Sequence, residues 1–401
     1  MQDRAAPSND TDRATDYPIG SSVTIESLTT WPYGVLAELR QAEPVSWVPE
    51  LGAWWVTRRD LCIEAMTNAD TFTVADERFT TAQVLGTSML NLDGPEHLRH
   101  RSAFTAPFRP KFVREELSER IAETASRLWS NAMDNDLEIR SSVAGTLAVE
   151  TILDLLGLDE VTTEDVLGWY GAFGEAITAL TVGDPVPDDV HATLAQLYTY
   201  VGDSMDSQDP GVITDLVDGD ILRRDEIPAA VAVVMFGAIE TSEAMTANAL
   251  WHLLTNDDSW DRLRNDRSLI PTAIDESLRL EPAACWIDRY TTTAVRLGDT
   301  IIPKGELVTI SLLGANRDPD VFANPDAFDI DRPNLAQHVT FVQGPHACLG
   351  LHVARAETRA VIEAALDWEI ANDSTLTLDT ARSTEPTGLI FRKPQRIHIT
   401  N

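Results

Sequence analysis

The stretch Phe341-Val-Gln-Gly-Pro-His-Ala-Cys348-Leu-Gly350 runs straight into a long helical pattern over Leu349–Leu366. A cysteine set just before a helix feels the positive end of the helix dipole and can accept backbone N–H bonds. Both effects favour the thiolate. Gly344 and Gly350 let the backbone turn tightly and approach a flat ligand closely. An isolated cysteine is more often a buried packing residue, so the pattern around this one decides its reading.

No repeat, low-complexity block or long linker divides the 401 residues, and the chain reads as one domain, 1–401. Apolar residues fall at helical spacing from Val143 to Leu156, with Gly157 where a helix C′ residue belongs. Similar patterns cover Glu115–Met133, Asp225–Thr255 and Ile270–Leu280. Strand-like stretches are shorter: Val45–Trp47, Trp54–Thr57, Thr292–Leu297, Leu307–Ile310 and Arg396–Ile399. Pro, Asp and Asn cluster between Asn316 and Pro333, which predicts a long irregular segment. The expected fold is mainly α with small β-sheets. A doubly wound parallel sheet is disfavoured because strands do not alternate regularly with helices. Neither a GxGxxG nor a P-loop sequence occurs.

Acidic residues outnumber basic ones by 64 to 31, a formal charge of −33. That argues against nucleic-acid binding and against a polybasic membrane anchor. The clearly apolar run Ile227–Ile239 is too short for a bilayer, which needs about 20 residues. The N-terminus lacks the basic and apolar blocks of a signal peptide, and residues 1–20 read as a flexible polar tail. Three cysteines imply no disulfide framework and fit a reducing cytoplasm.

Three further groups carry chemistry. Glu276 and Arg279 stand three apart in a helical pattern and so share a face. His97 and Arg101 are one turn apart in Asp93-Gly-Pro-Glu-His-Leu-Arg-His-Arg101, donors suited to carboxylates. Gly237-Ala-Ile-Glu240-Thr241-Ser242 puts an acid and an alcohol deep in the most apolar helix, where each is costly unless bonded or functional.

Together these residues resemble the cytochromes P-450, the haem-thiolate monooxygenases. Phe341, Gly344, His346, Cys348 and Gly350 match the family's cysteine loop. Val342 departs from it, because glycine is usual there. If the position needs positive φ, valine is poorly suited and the loop shape should differ. Glu276-Ser-Leu-Arg279 is similar to the family's Glu-x-x-Arg motif, and Ala315–Pro319 and Asn324–Asp329, ending in Arg332, look like its meander. The resemblance implies haem b buried between the long central helix and the cysteine loop, with Cys348 as iron ligand. It implies that His97, Arg101, Arg289 and His346 bind the haem propionates, and that Glu276, Arg279 and Arg332 form a buried ion network. Ala238 would line the oxygen site, while Glu240 and Thr241 would deliver protons for oxygen activation. By family position the substrate pocket would be lined by Val84, Leu85, Met89, Leu90, Phe236, Ala283, Ala284, Trp286 and Leu389.

The function this implies is insertion of one oxygen atom from O2 into an apolar small molecule, by a soluble and monomeric cytoplasmic enzyme. Residues 349–401 leave no room for a flavin or iron–sulfur domain, so a ferredoxin or flavodoxin with its reductase is expected. Arg99, Arg109, Lys111, Arg114 and Arg355 are the candidate docking cations, with Arg109, Lys111 and Arg355 at the centre. Two alternatives compete: a peroxide-using or isomerising haem-thiolate enzyme, and a non-enzymatic haem-based ligand sensor. The Glu240–Thr241 pair speaks against the first, and no effector domain supports the second.

Overall fold

The computed structural model describes residues 10–158, 161–207, 211–256 and 258–401. Its centre is one helix, Ile227–Thr255. Pro228 stands in its first turn, where a missing N–H costs nothing. Residues on every side of it are buried, from Ala230, Val231 and Ala232 to Ala247, Asn248 and Ala249, as expected of a core helix rather than an amphipathic one. At 29 residues it is longer than the apolar run alone, and by length and composition it could cross a bilayer; here it is mostly packed inside the protein. Helices Thr146–Leu156, Ile270–Leu280 and Leu351–Asn372 pack against it.

The expected helices are present with shifted ends. A π-type turn, Arg140–Gly145, precedes the helix Thr146–Leu156, and Gly157 closes that helix at φ 75°. The helix after Cys348 starts at Leu351 rather than Leu349 and runs to Asn372. Two helices not singled out by spacing, Thr163–Thr181 and Val190–Met205, add to the helical layer.

The main sheet has five strands in the order Val45–Val48, Ala53–Val56, Leu307–Ser311, Trp286–Thr291, Phe72–Thr73. One pairing is parallel, Trp54 opposite Val308, and the others are antiparallel. The strand expected at Thr292–Leu297 is shortened to Val295–Leu297, which forms a hairpin with Thr300–Ile302, while the strand Trp286–Thr291 of the main sheet lies just before it. The strand expected at Arg396–Ile399 is reduced to Ile399–Thr400, paired with Thr377–Leu378. The segment from Asn316 to Pro333 has no helix or strand, as its composition predicts.

Of the polar tail expected over residues 1–20, residues 1–9 lie outside the described residues, and the rest packs onto the protein. Residues Asp10–Asp16 form a helix. The Arg13 guanidinium bonds Glu306 at 2.9 and 3.0 Å and lies 4.4 Å above the Trp47 ring. Tyr17 is buried edge-on against Trp54, with ring centroids 5.1 Å apart. A polar-looking segment is thus docked by one cation over aromatic faces, which adds to its ion pair. Removing the Tyr17 ring should cost about 3 kcal/mol, as for other buried aromatics. Urea unfolding of Tyr17→Ala checks this, since a detached tail would leave stability unchanged.

Candidate functional site

The Cys348 loop closes on itself through backbone bonds. Val342 N–H donates to Val339 O, Ala347 N–H to Gly344 O, and Cys348 N–H to Phe341 O, at 2.8, 3.1 and 2.8 Å. Val342 has φ 61°, so the left-handed turn that glycine would take is kept, at a strain cost of about 1–3 kcal/mol. The expectation that valine would reshape the loop is therefore not met. Gly344, at φ 81°, makes the tight turn read in the sequence and has a second purpose. A Cβ there would stand 2.8 Å from the Met66 carbonyl oxygen, so this glycine lets two backbones meet. The backbone N–H groups of Gly350 and Leu351 bond the Cys348 thiol. Burial nevertheless outweighs them and holds the thiol above its ordinary pKa, so the helix terminus alone does not ionise it.

Asp93, His97, Arg101 and Arg289 gather beside this loop and its His346. The His97 and His346 rings are 4.3 Å apart. His346 Nε2 lies 2.9 Å from Asp93 Oδ1, which leaves Nδ1 for any other partner. Burial would raise the Asp93 carboxyl, but bonds from His346, Thr73 and the Val74 N–H bring it down to about 2. Burial, helped by the neighbouring His346 and Arg101 side chains, pushes His97 down to about 4. Arg101 donates to the Ala347 carbonyl at 2.7 Å. Arg289 comes from the strand Trp286–Thr291, and burial lowers its guanidinium to about 10. His97 Nε2 and Arg289 Nη2 are buried nitrogens with no partner among the described residues. Buried polar atoms are nearly always paired, so these two call for an anionic group.

Glu276, Arg279 and Arg332 meet in the interior. Arg279 holds Glu276 with two bonds of 2.7 and 2.8 Å, and Arg332 Nε reaches the same carboxylate at 3.1 Å. Glu276 and Arg279 are fully buried. The spare donors of Arg279 reach the carbonyls of Asn316, Pro325 and Ala327, and Arg332 reaches that of Ala323.

On the central helix Gly237 is exposed and Ala238 and Thr241 half-exposed, one face of a segment otherwise buried. The Thr241 hydroxyl donates to the Gly237 carbonyl at 2.6 Å, so its oxygen remains an acceptor. Glu240 is not free beside it: Lys393 Nζ donates to its Oε1 at 2.8 Å. Sequence reasoning passed over Lys393 and Glu243, which stands three residues on from Glu240, and over Asp93. The isolation of Lys393 as one of three lysines was the available signal.

Of the pocket residues, Val84, Leu85, Met89, Phe236 and Ala283 are buried and Ala284 is half-buried, whereas Leu90 is 37 % exposed. Trp286 packs edge-on against Trp55 and, with Leu389, surrounds a small apolar void shared with Leu28, Leu36 and Cys285. Both are buried, as are Val84, Leu85 and Phe236. Several of the expected docking cations are held in ion pairs. Arg355 is held by Asp275 at 2.8 Å and covers the Phe341 ring. Arg99 bridges Glu96 and Glu226. Arg109 and Lys111 are exposed, but Glu115 lies 3.7 Å from Lys111 and 3.5 Å from Arg114 and dilutes the patch. Cys62 and Cys285 are buried with thiols pushed far up by desolvation, as packing residues should be.

The sequence profile described as Cytochrome P450 matches residues 205–370, which contain the central helix and the cysteine loop. Cytochrome P450 107B1 of Saccharopolyspora erythraea is 32 % identical over 78 % of this chain and 80 % of its own length. Mycinamicin IV hydroxylase/epoxidase of Micromonospora griseorubida is 30 % identical over 83 % of this chain and 87 % of its own. The crystal structure of P450BioI, in complex with an acyl carrier protein ligated to hexadec-9Z-enoic acid, superposes with a TM-score of 0.83 at 25 % identity. That match covers 94 % of this chain and all of P450BioI. The fold and the cysteine loop thus define a haem-thiolate monooxygenase, and the chain belongs to the cytochrome P450 family. The family's cofactor is haem b, and the residues fit it. Two unpaired buried nitrogens suit its propionates, and a cysteine already bonded by two backbone N–H groups suits its iron.

Glu276→Gln would leave two buried guanidiniums with no counter-charge. It should cost about 3–5 kcal/mol, read as loss of soluble folded protein or a lowered urea midpoint, even without haem.

Proposed function

We propose that this protein uses O2 to hydroxylate or epoxidise an apolar small molecule, drawing electrons from a separate ferredoxin or flavodoxin with its reductase. The observation that carries this reading is Cys348 at the head of the helix Leu351–Asn372, bonded by the Gly350 and Leu351 N–H groups. Beside it stand buried nitrogens of His97 and Arg289 that lack partners. When bound, haem would supply the electron-transfer and oxygen chemistry, with thiolate ligation favouring O–O cleavage. Cys348 would hold the iron as its thiolate, with the two N–H bonds tempering the charge on its sulfur. His97, Arg101 and Arg289, with His346 Nδ1, would hold the propionates. Arg289 is the strongest anchor, being a buried cation with an unused donor.

On the central helix Thr241 offers a hydroxyl oxygen as acceptor, with Glu240 adjacent as the carboxylate that relays protons from solvent to it. Ala238 keeps that face narrow but open. Val84, Leu85, Met89, Phe236, Ala283 and Ala284 form an apolar lining that excludes water and selects apolar substrates. A relative named for hydroxylation and epoxidation and a neighbour holding a fatty acyl group support this substrate class. A monomeric, cytoplasmic enzyme accords with reduced, buried Cys62 and Cys285. Arg109 and Lys111 are the cations left to receive an acidic electron donor.

Cys348→Ser should abolish the red-shifted Soret band of the reduced carbon-monoxide complex, while Cys62→Ala and Cys285→Ala keep it. Retention of the band in Cys348→Ser would place the iron on another residue. Thr241→Ala should still bind haem but consume reductant with several-fold less product, the balance appearing as peroxide. Fully coupled turnover by this variant would remove Thr241 from the mechanism.

A further inference from the structure

One turn beyond Glu240 a second carboxylate, Glu243, points to the same lysine. Lys393 arrives from the short strand Lys393–Pro394, donating to Glu240 Oε1 at 2.8 Å and, by a very short contact, to Glu243 Oε2. The other Glu243 oxygen accepts from Arg140 Nη1 at 2.6 Å. Arg140 Nε in turn donates to the Gln395 carbonyl at 2.9 Å. Gly145 makes room for this cluster, because a Cβ there would stand 3.0 Å from Glu243 Oε1. Side-chain exposure falls from 23 % at Arg140 to 6 % at Glu243 and about a tenth at Lys393 and Glu240.

The four charges cancel, yet burying them returns little stability, since buried ion pairs rarely recover their desolvation cost. The choice of cation is also telling. Of 31 basic residues only three are lysine, so arginine is this chain's ordinary partner for a carboxylate. A guanidinium binds one carboxylate as a planar fork, whereas an ammonium is a compact charge that two carboxylates can share.

We infer that Lys393 is a positioning residue for oxygen activation: its shared ammonium fixes the Glu240 carboxylate next to Thr241. This rests on the reading of Glu240 and Thr241 as the proton-delivering pair. Lys393 is itself suited to the task. Burial opposes its charge, but the two carboxylates outweigh burial and hold its pKa above the usual lysine value. Without it, Glu240 and Glu243 would be like charges in a poorly solvated place, with Arg140 alone to offset them. One carboxylate would then take a proton from solvent. The charged groups facing the cluster are Glu240 and Glu243 from the central helix and Arg140 from the π-type turn. Glu138 lies behind, bonded to the Ile397 N–H.

The test uses haem-loaded full-length protein with carboxyl-labelled glutamate. Infrared spectra are recorded across pH, with product formed per reductant consumed measured in parallel. Lys393→Met should gain a protonated-carboxyl band at neutral pH beyond the one that buried Glu357, raised to about 7, gives wild type, and coupling should fall several-fold. Lys393→Arg should lose the added band and regain part of the coupling. Lys393→Met/Glu243→Leu, which removes one charge of each sign, guards against misfolding. It should show no added band yet remain uncoupled, because Glu240 is no longer held. A Lys393→Met spectrum without the added band, or wild-type coupling in the charge-neutral double variant, would overturn the inference. Glu240→Gln separates the two readings. If it couples fully, the acid–alcohol reading fails; if it uncouples while the Lys393 variants do not, the inference alone fails.

Discussion

A single buried carboxylate, Glu276, organises the half of the molecule that presents the cysteine. Two guanidiniums converge on it, leaving an excess of positive charge that would be intolerable without further acceptors. The acceptors are main-chain carbonyls of the irregular segment at Asn316, Ala323, Pro325 and Ala327. A stretch with no helix or strand of its own is thus pinned from within, its backbone bonds made to side chains instead of a ladder. The bracing continues outward. Asn316 accepts the Val339 N–H at 2.7 Å and donates to the Thr340 hydroxyl at 2.8 Å, while Thr340 donates back to the Leu278 carbonyl at 2.8 Å. Two hydrogen-bonded steps therefore connect the ion network to the residues opening the Cys348 loop.

The chain's acidity gives its few cations unusual work. Surface charge dominated by carboxylates keeps the protein repelling other anions at long range, within a screening distance of about 8–10 Å at physiological salt. Inside that distance most arginines are already committed: Arg13 to Glu306, Arg99 to Glu226, Arg264 to Glu369, Arg355 to Asp275. An acidic electron donor would therefore meet a sparse set of exposed cations, not a broad basic field. Orientation would come from a few contacts and shape rather than from attraction over distance.

How much of this was legible in the sequence follows from how locally each feature is encoded. The cysteine loop, Glu276 with Arg279, and the central helix are short motifs or clean periodicities, so their residues and elements could be named. Arg332 required the meander motif, since nothing local ties it to Glu276. The docking of Arg13 and Tyr17 was invisible, because its partners Trp47, Trp54 and Glu306 lie far along the chain and the segment itself is polar. The packing of Trp286 against Trp55 was invisible for a related reason. Family position gives the strand, but which face of it meets Trp55 depends on register with Leu307–Ser311. Lys393 and Glu243 were missed because an ion pair between a helix and a distant strand leaves no spacing to read.

The left-handed turn at Val342 has a consequence for how the site comes into being. A β-branched residue does not adopt φ near 60° by its own preference, so the loop's shape is imposed by its surroundings. Those surroundings are the Met66 backbone against Gly344, the Asn316 brace and the docked Arg279 and Arg332. In the nascent chain the cysteine segment has no reason to hold this geometry. The thiol is presented only after distant parts of the chain have assembled around it, which makes cofactor capture a late event and links it to correct folding of the whole.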